Sequence, residues 1–174
     1  MTDPSTGAHQ PAGAGCADLI DCLAEEQAAL EYLLFKLREQ HLVLSSGEHR
    51  WLAACTSEVE SAVRELTGIG RRREEVAALV HADHGLAAGS ALSVLAERVS
   101  DELTCQRLLQ RQRDLRDILD QVRRCSRQNR ELLAHGLAAT NDALALLGAV
   151  PTYDSTGGAV RTGTPASGSF DTRV

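Results

Sequence analysis

The chain has 174 residues and a formal charge of −6, and Phe, Tyr and Trp together make up 3% of it. That length suits one domain rather than two, and the acidic balance argues against a general nucleic-acid binder, which needs a basic footprint. No run approaches the roughly 20 apolar residues of a membrane span. A chain so poor in aromatics must bury Leu and Ala along thin helical seams, which predicts an all-α bundle or coiled coil.

Met1–Gly15 lacks a basic segment leading into an apolar core, so it does not read as a signal peptide and the protein is expected in the cytoplasm. Its Pro, Gly, Ser and Thr follow no period, which predicts a disordered arm over residues 1–15. A helical bundle is then expected over 16–148 and a flexible tail over 149–174.

The first helix is predicted from Ala17 to Leu44. Its seam of Cys16, Ile20, Leu23, Gln27, Leu30, Leu34, Leu37, His41 and Leu44 alternates steps of four and three, the heptad pattern. Leu19 and Leu33 widen the stripe, so the helix is expected to touch two neighbours. Ser45-Ser46-Gly47-Glu48 then interrupts the pattern. Ser45 and Glu48 have capping-box spacing, and a short turn there sends the next helix back antiparallel.

The second helix is predicted from Glu48 to Val80, with Leu52, Val59, Val63, Leu66, Val76 and Val80 on its seam and Cys55, Ala62 and Ile69 alongside. Gly68 and Gly70 inside it cost about 1 kcal/mol each relative to Ala and predict a weak point. His81–Gly89 reads as a loop and Ser90–Arg98 as a short helix. Ser100 is the expected N-cap of a last, long helix reaching Leu147, with Gly148 and Pro151 as its stop. Its seam includes Leu108, Leu115, Ile118, Leu119, Val122, Cys125, Asn129, Leu133, Gly136, Thr140, Leu144 and Leu147, and Gly136 is the expected place for a bend. A hairpin followed by one very long helix predicts an elongated antiparallel bundle.

Charge divides along the same lines. Ten acids face four bases from Asp18 to Glu65, whereas eight arginines face three acids from Arg107 to Arg130. The expected arrangement lays the basic helix beside the acidic hairpin, with flanking ion pairs setting register. A nucleic-acid stripe would need interleaved aromatics for stacking, and none are present there.

Residues able to carry chemistry are few. A di-metal site in a bundle needs Glu-x-x-His on two helices. Glu131 and His135 stand four apart, and His81 and His84 fall in the predicted loop, where they read as solvated. His41 lies on the first seam and reads as a hydrogen-bonded core histidine. Cys16, Cys22, Cys55, Cys105 and Cys125 are widely spaced, contain no CxxC pair and read as small apolar packing residues. Gly68-Ile69-Gly70 before Arg71-Arg72-Arg73 has neither a third glycine nor a preceding strand, so it makes no phosphate loop. No catalytic residue, metal, cofactor or small-molecule pocket is expected.

Helix surface remains. From Arg130 to Leu147 the last helix carries Leu132, Leu133, Leu137, Leu144, Leu146 and Leu147 on more than one face. Such a surface suits a partner helix laid into a groove, or equally the completion of a core or homodimer seam.

Three segments carry a family resemblance: Leu23-Ala24-Glu25-Glu26-Gln27 with Leu30 and Leu33-Leu34, Arg71-Arg72-Arg73-Glu74-Glu75-Val76, and Gln128-Asn129-Arg130-Glu131-Leu132-Leu133. Val150-Pro151-Thr152-Tyr153-Asp154-Ser155-Thr156-Gly157 follows the last of them. In that order, over residues 17–157, they resemble the FlgN family of flagellar export chaperones. The resemblance implies binding of hook-associated proteins of the FlgK and FlgL types in the cytoplasm, shielding of their terminal helical segments, and delivery to the flagellar type III export gate. It implies a substrate groove at Leu133, Leu137, Leu144 and Leu147, with Leu132 and Leu146 at its rim. Tyr153, a lone aromatic just outside the helix, is expected either to anchor the protein at the gate or, equally, to fold back on the bundle. The rival expectation is a coiled-coil scaffold whose sole function is self-association.

Overall fold

The computed structural model describes residues 12–148 and the pairs 152–153 and 159–160. The fold is all-helical, with four α-helices packed antiparallel and the longest at the C-terminal end: α1 (Ala12–Ser46), α2 (Leu52–Asp83), α3 (Leu92–Arg98) and α4 (Glu102–Gly148). The chain divides into two units, with the boundary inside α4 between Leu132 and Leu133.

α1 begins at Ala12, inside the stretch expected to be an arm. Gly15 lies so close to α2 that an added Cβ would stand 3.3 Å from Val80 Cγ2. Packing there outweighs the poor helix propensity of glycine. The rest of that predicted arm lies outside the described residues.

The α1–α2 turn differs from the expected capping box. Ser45 stays within α1, and Glu48 makes no side-chain cap. Gly47 instead takes φ of +74° just past the helix end, a conformation in which glycine has no Cβ penalty. A single 3₁₀ turn, His49–Trp51, leads into α2. α2 then runs unbroken through Gly68 and Gly70 and on to Asp83.

That extension corrects the reading of His81. Rather than standing solvated in a loop, it belongs to α2 and is 2% exposed, with no hydrogen-bond partner for either ring nitrogen among the described residues. Burial pushes its pKa below the ordinary imidazole value, and neighbouring His84 adds to the effect. His84 Nδ1 lies 2.9 Å from the Val80 carbonyl, so that nitrogen carries the proton and donates to a carbonyl that also accepts the His84 backbone N–H at 3.2 Å. Three consecutive helical residues past Val80 explain the misreading, because Gly85 at φ of +67°, not His81, marks the true stop.

α4 is capped one residue later than expected. Asp101 Oδ2 accepts from the Thr104 backbone N–H at 2.9 Å and from its hydroxyl at 2.6 Å. These bonds hold the Asp101 carboxyl below the usual carboxylate range, and Ser100 plays no such part. At the other end Gly148 is itself helical.

The core is aliphatic. α1 supplies Cys16, Leu19, Leu23, Leu30, Leu33, Leu34 and Leu37, α2 supplies Ala62, Ala77 and Val80, α3 inserts Leu95, and α4 adds Leu108, Leu115, Ile118 and Cys125. Burial raises the thiol pKa of Cys16 and Cys125, as expected of packed rather than reactive cysteines. Val63, placed on the α2 seam by its spacing, is exposed instead, and the adjacent Ala62 is the buried residue at that level.

Ion pairs depart from the expected pattern. Arg72 reaches Glu25 at 3.1 Å, Arg73 reaches Glu26 at 2.8 Å, and Lys36 reaches Glu58 at 2.9 Å, all between α1 and α2. Among the described residues no arginine of Arg107–Arg130 pairs with a hairpin carboxylate. Arg111 meets only the Gln27 side-chain oxygen, at 2.9 Å. The buried positions of α4 fix its rotation, and that rotation turns Arg113, Arg116, Arg123, Arg124, Arg127 and Arg130 to solvent.

Beyond α4, Thr152–Tyr153 pairs antiparallel with Ala159–Val160. The expected tail therefore contains a short strand pair, for which Thr, Tyr and Val have suitable propensity. The rest of it lies outside the described residues.

Candidate functional site

Two features of α4 stand out, one buried and one exposed. The buried one is Asn129, which ends the run of core positions. Its Nδ2 donates to the Leu37 carbonyl at 2.8 Å and to Gln40 Oε1 at 3.0 Å. Its Oδ1 lies 2.9 Å from His41 Nδ1. An amide oxygen only accepts, so Nδ1 of His41 carries the proton. Gln40 Nε2 in turn donates to Thr56 Oγ1 at 3.1 Å, which ties α2 into the same chain of bonds. Three helices are thus joined by one satisfied polar network. In a surface of interchangeable leucines, such a network selects a single register.

The exposed feature is the leucine stripe that follows. Leu133, Leu137, Leu144, Leu146 and Leu147 are 38%, 64%, 60%, 73% and 68% exposed. At 100° per residue, Leu133, Leu137, Leu144 and Leu147 fall on one face of α4, spread over about 21 Å of helix. Leu132 and Leu146 lie off that face, and Leu132 is partly buried. Single exposed leucines need no explanation, but a row of four on one face does. The stripe has the anchor spacing with which amphipathic helices recognise one another.

Tyr153 belongs to the first strand of the short pair, opposite Ala159. His135 and Glu131 are both exposed on α4. Among the described residues, no three His, Cys, Asp or Glu side chains gather where they could hold a metal ion, and no helix is long and apolar enough to cross a membrane.

Sequence reasoning placed Asn129 and His41 on their seams but missed Gln40 and Thr56. Neither interrupts a periodic pattern, and only the antiparallel pairing of α1 with α2 brings them together.

The family described as FlgN protein matches residues 16–160, a span that holds the whole core, the polar network, the leucine stripe and Tyr153. No curated protein matches, and no solved structure does. The match covers most of the chain, which belongs to the FlgN family of non-enzymatic flagellar export chaperones.

Proposed function

We propose that this protein binds the terminal helical segments of hook–filament junction proteins of the FlgK and FlgL types in the cytoplasm. It keeps them from assembling prematurely and delivers them to the flagellar type III export gate. The observation that carries this reading is the row of Leu133, Leu137, Leu144 and Leu147 exposed on one face of α4. A disordered amphipathic segment is prone to aggregate, and laying its apolar stripe along this one hides both. Ordering that segment costs free energy, which keeps affinity moderate enough for release. Leu132 and Leu146 form the rim of the contact, and Tyr153 is the anchor for the gate.

The test is co-purification with the C-terminal helical region of the junction protein from the same organism. A soluble, stoichiometric complex is the expected result. Failure to form one with any junction protein would overturn the substrate assignment. A tight homodimer that buries the stripe would then favour the self-associating scaffold.

A further inference from the structure

We propose that the open groove between α1 and α2 is a docking site for a basic amphipathic helix of a partner protein, separate from the leucine stripe of α4. The groove encloses about 300 Å³, and Ala28, Ala29, Ala62 and Ile69 form its floor. Tyr32 stands at its edge with Phe35 beside it on α1, and they are 49% and 52% exposed. The chain has only five aromatic residues, one Trp, two Tyr and two Phe. A protein that spends so few of them places these two on its surface rather than in its core. Exposed aromatics next to a floor of small side chains are the usual anchors of a protein interface. A short floor also lets a helix backbone approach closely while its own Leu or Ile side chains fill the space.

Charge selects the occupant. Glu25 and Glu65 line the groove; Lys36, over Tyr32 at its edge, brings in Glu39 and Glu58, and Arg72 pairs with Glu25, which leaves four carboxylates against two cations. Lys36 is already committed, at 2.8 Å from Glu39 and 2.9 Å from Glu58, and Arg72 is committed to Glu25. Glu65, on the groove wall, has no cationic partner among the described residues. The Lys36 ammonium sits 5.6 Å from the Tyr32 ring centre and 5.2 Å from that of Phe35, so both rings already engage a cation.

The Lys36–Glu58 and Arg72–Glu25 bridges cross from α1 to α2 at the two ends of the groove. Between Glu25 and Lys36 they frame about 16 Å of α1, room for three turns of helix. The occupant is therefore a helix with aliphatic residues at i, i+4 and i+7 toward the alanine floor. An arginine or lysine on its flank meets Glu65.

The test uses the full chain and two fluorescent peptides of about 18 residues, with the same leucine stripe but arginine flanks in one and glutamate flanks in the other. Anisotropy at about 0.1 M salt should show the arginine peptide binding at least about tenfold more tightly. Tyr32→Ala and Glu65→Arg, both at exposed positions, should each weaken it by about tenfold with unchanged circular dichroism. The double variant Leu137→Asp/Leu144→Asp, which silences the α4 stripe, should still bind the arginine peptide and keep the roughly tenfold preference for it. Equal binding of the two peptides, or indifference to both groove variants, would overturn the proposal. So would loss of peptide binding in the Leu137/Leu144 variant, or peptide-free self-association of the wild type that Tyr32→Ala abolishes, since a second copy would then be the occupant.

Discussion

Asn129 on α4 and Gln40 on α1 share a buried hydrogen bond of 3.0 Å, although 89 residues separate them in sequence. Each spends its remaining capacity on a third group, Asn129 on Leu37 and His41, Gln40 on Thr56. Replacing only one member strands the others. Asn129→Leu should lower the unfolding free energy by about 1–3 kcal/mol, the cost of leaving buried polar groups unpaired. The combined Gln40→Leu/Asn129→Leu variant should lose less than the sum of the two single changes, because both partners then become apolar. Urea denaturation of the four proteins measures this, and strict additivity would show that the two side chains do not act as a pair.

His81 supplies a pH dependence whose sign is fixed. Its pKa is depressed in the folded protein by burial first and by His84 second. Above about pH 7 the ring is neutral in both states and contributes no slope. Below the unfolded value of about 6.5 the unfolded chain takes up a proton that the folded core resists, so stability falls as pH falls. His81→Leu removes both the proton site and two unpartnered ring nitrogens. The variant should be more stable than the wild type at pH 6, with a flatter profile between about pH 7 and pH 5.5. Thermal melts across that range decide the matter, and parallel profiles would move the titration to another group.

The periodic residues made most of this fold legible. Leu23, Leu30, Leu34 and Leu37 are buried where their heptad steps put them, and Leu108, Leu115 and Ile118 likewise. Periodicity says which face is apolar but not what covers it. Leu133, Leu144 and Leu147 continue the same α4 seam, yet they are exposed, and the pattern alone could not separate them from core. Tertiary partners hid the rest. Gln40 and Thr56 meet only through the α1–α2 pairing, and His81 is buried because α2 continues one turn past its apparent end. Tyr32 and Phe35 fell off every seam, and that position outside the pattern was itself the available sign of a surface role.

Two glycines make opposite predictions from the same substitution. Gly47 holds φ of +74° in the α1–α2 turn, so Gly47→Ala forces an L-residue into the left-handed region and should destabilise by about 1 kcal/mol. Gly68 lies within α2 with nothing within 4 Å of an added Cβ. Gly68→Ala should therefore stabilise by about 0.5–1 kcal/mol, the helix-propensity difference. Melting temperatures that move in opposite directions are the expected outcome. A destabilising Gly68→Ala would mean that α2 needs its flexibility there.

Tyr153 is the proposed gate anchor, and it lies beyond α4, outside the proposed substrate stripe. Tyr153→Ala should abolish capture by the export-gate protein while leaving the complex with a junction protein intact. Pull-downs against each partner in parallel read both halves of the prediction. Unchanged gate capture would dispose of the docking role.

Leu137 and Leu144 lie seven residues apart on the exposed face of α4, so changing both to Asp places two charges in the middle of the proposed substrate contact. Exposed substitutions usually alter stability by less than about 0.5 kcal/mol. Helicity by circular dichroism should therefore match the wild type, although Asp is a weaker helix former than Leu. A bound apolar helix, in contrast, would have to desolvate both carboxylates without a partner for either, a cost of several kcal/mol. Affinity for the junction-protein segment should consequently fall beyond detection by calorimetry. Retained binding would move the substrate site off this stripe, and a collapse of helicity would show instead that these leucines serve the fold.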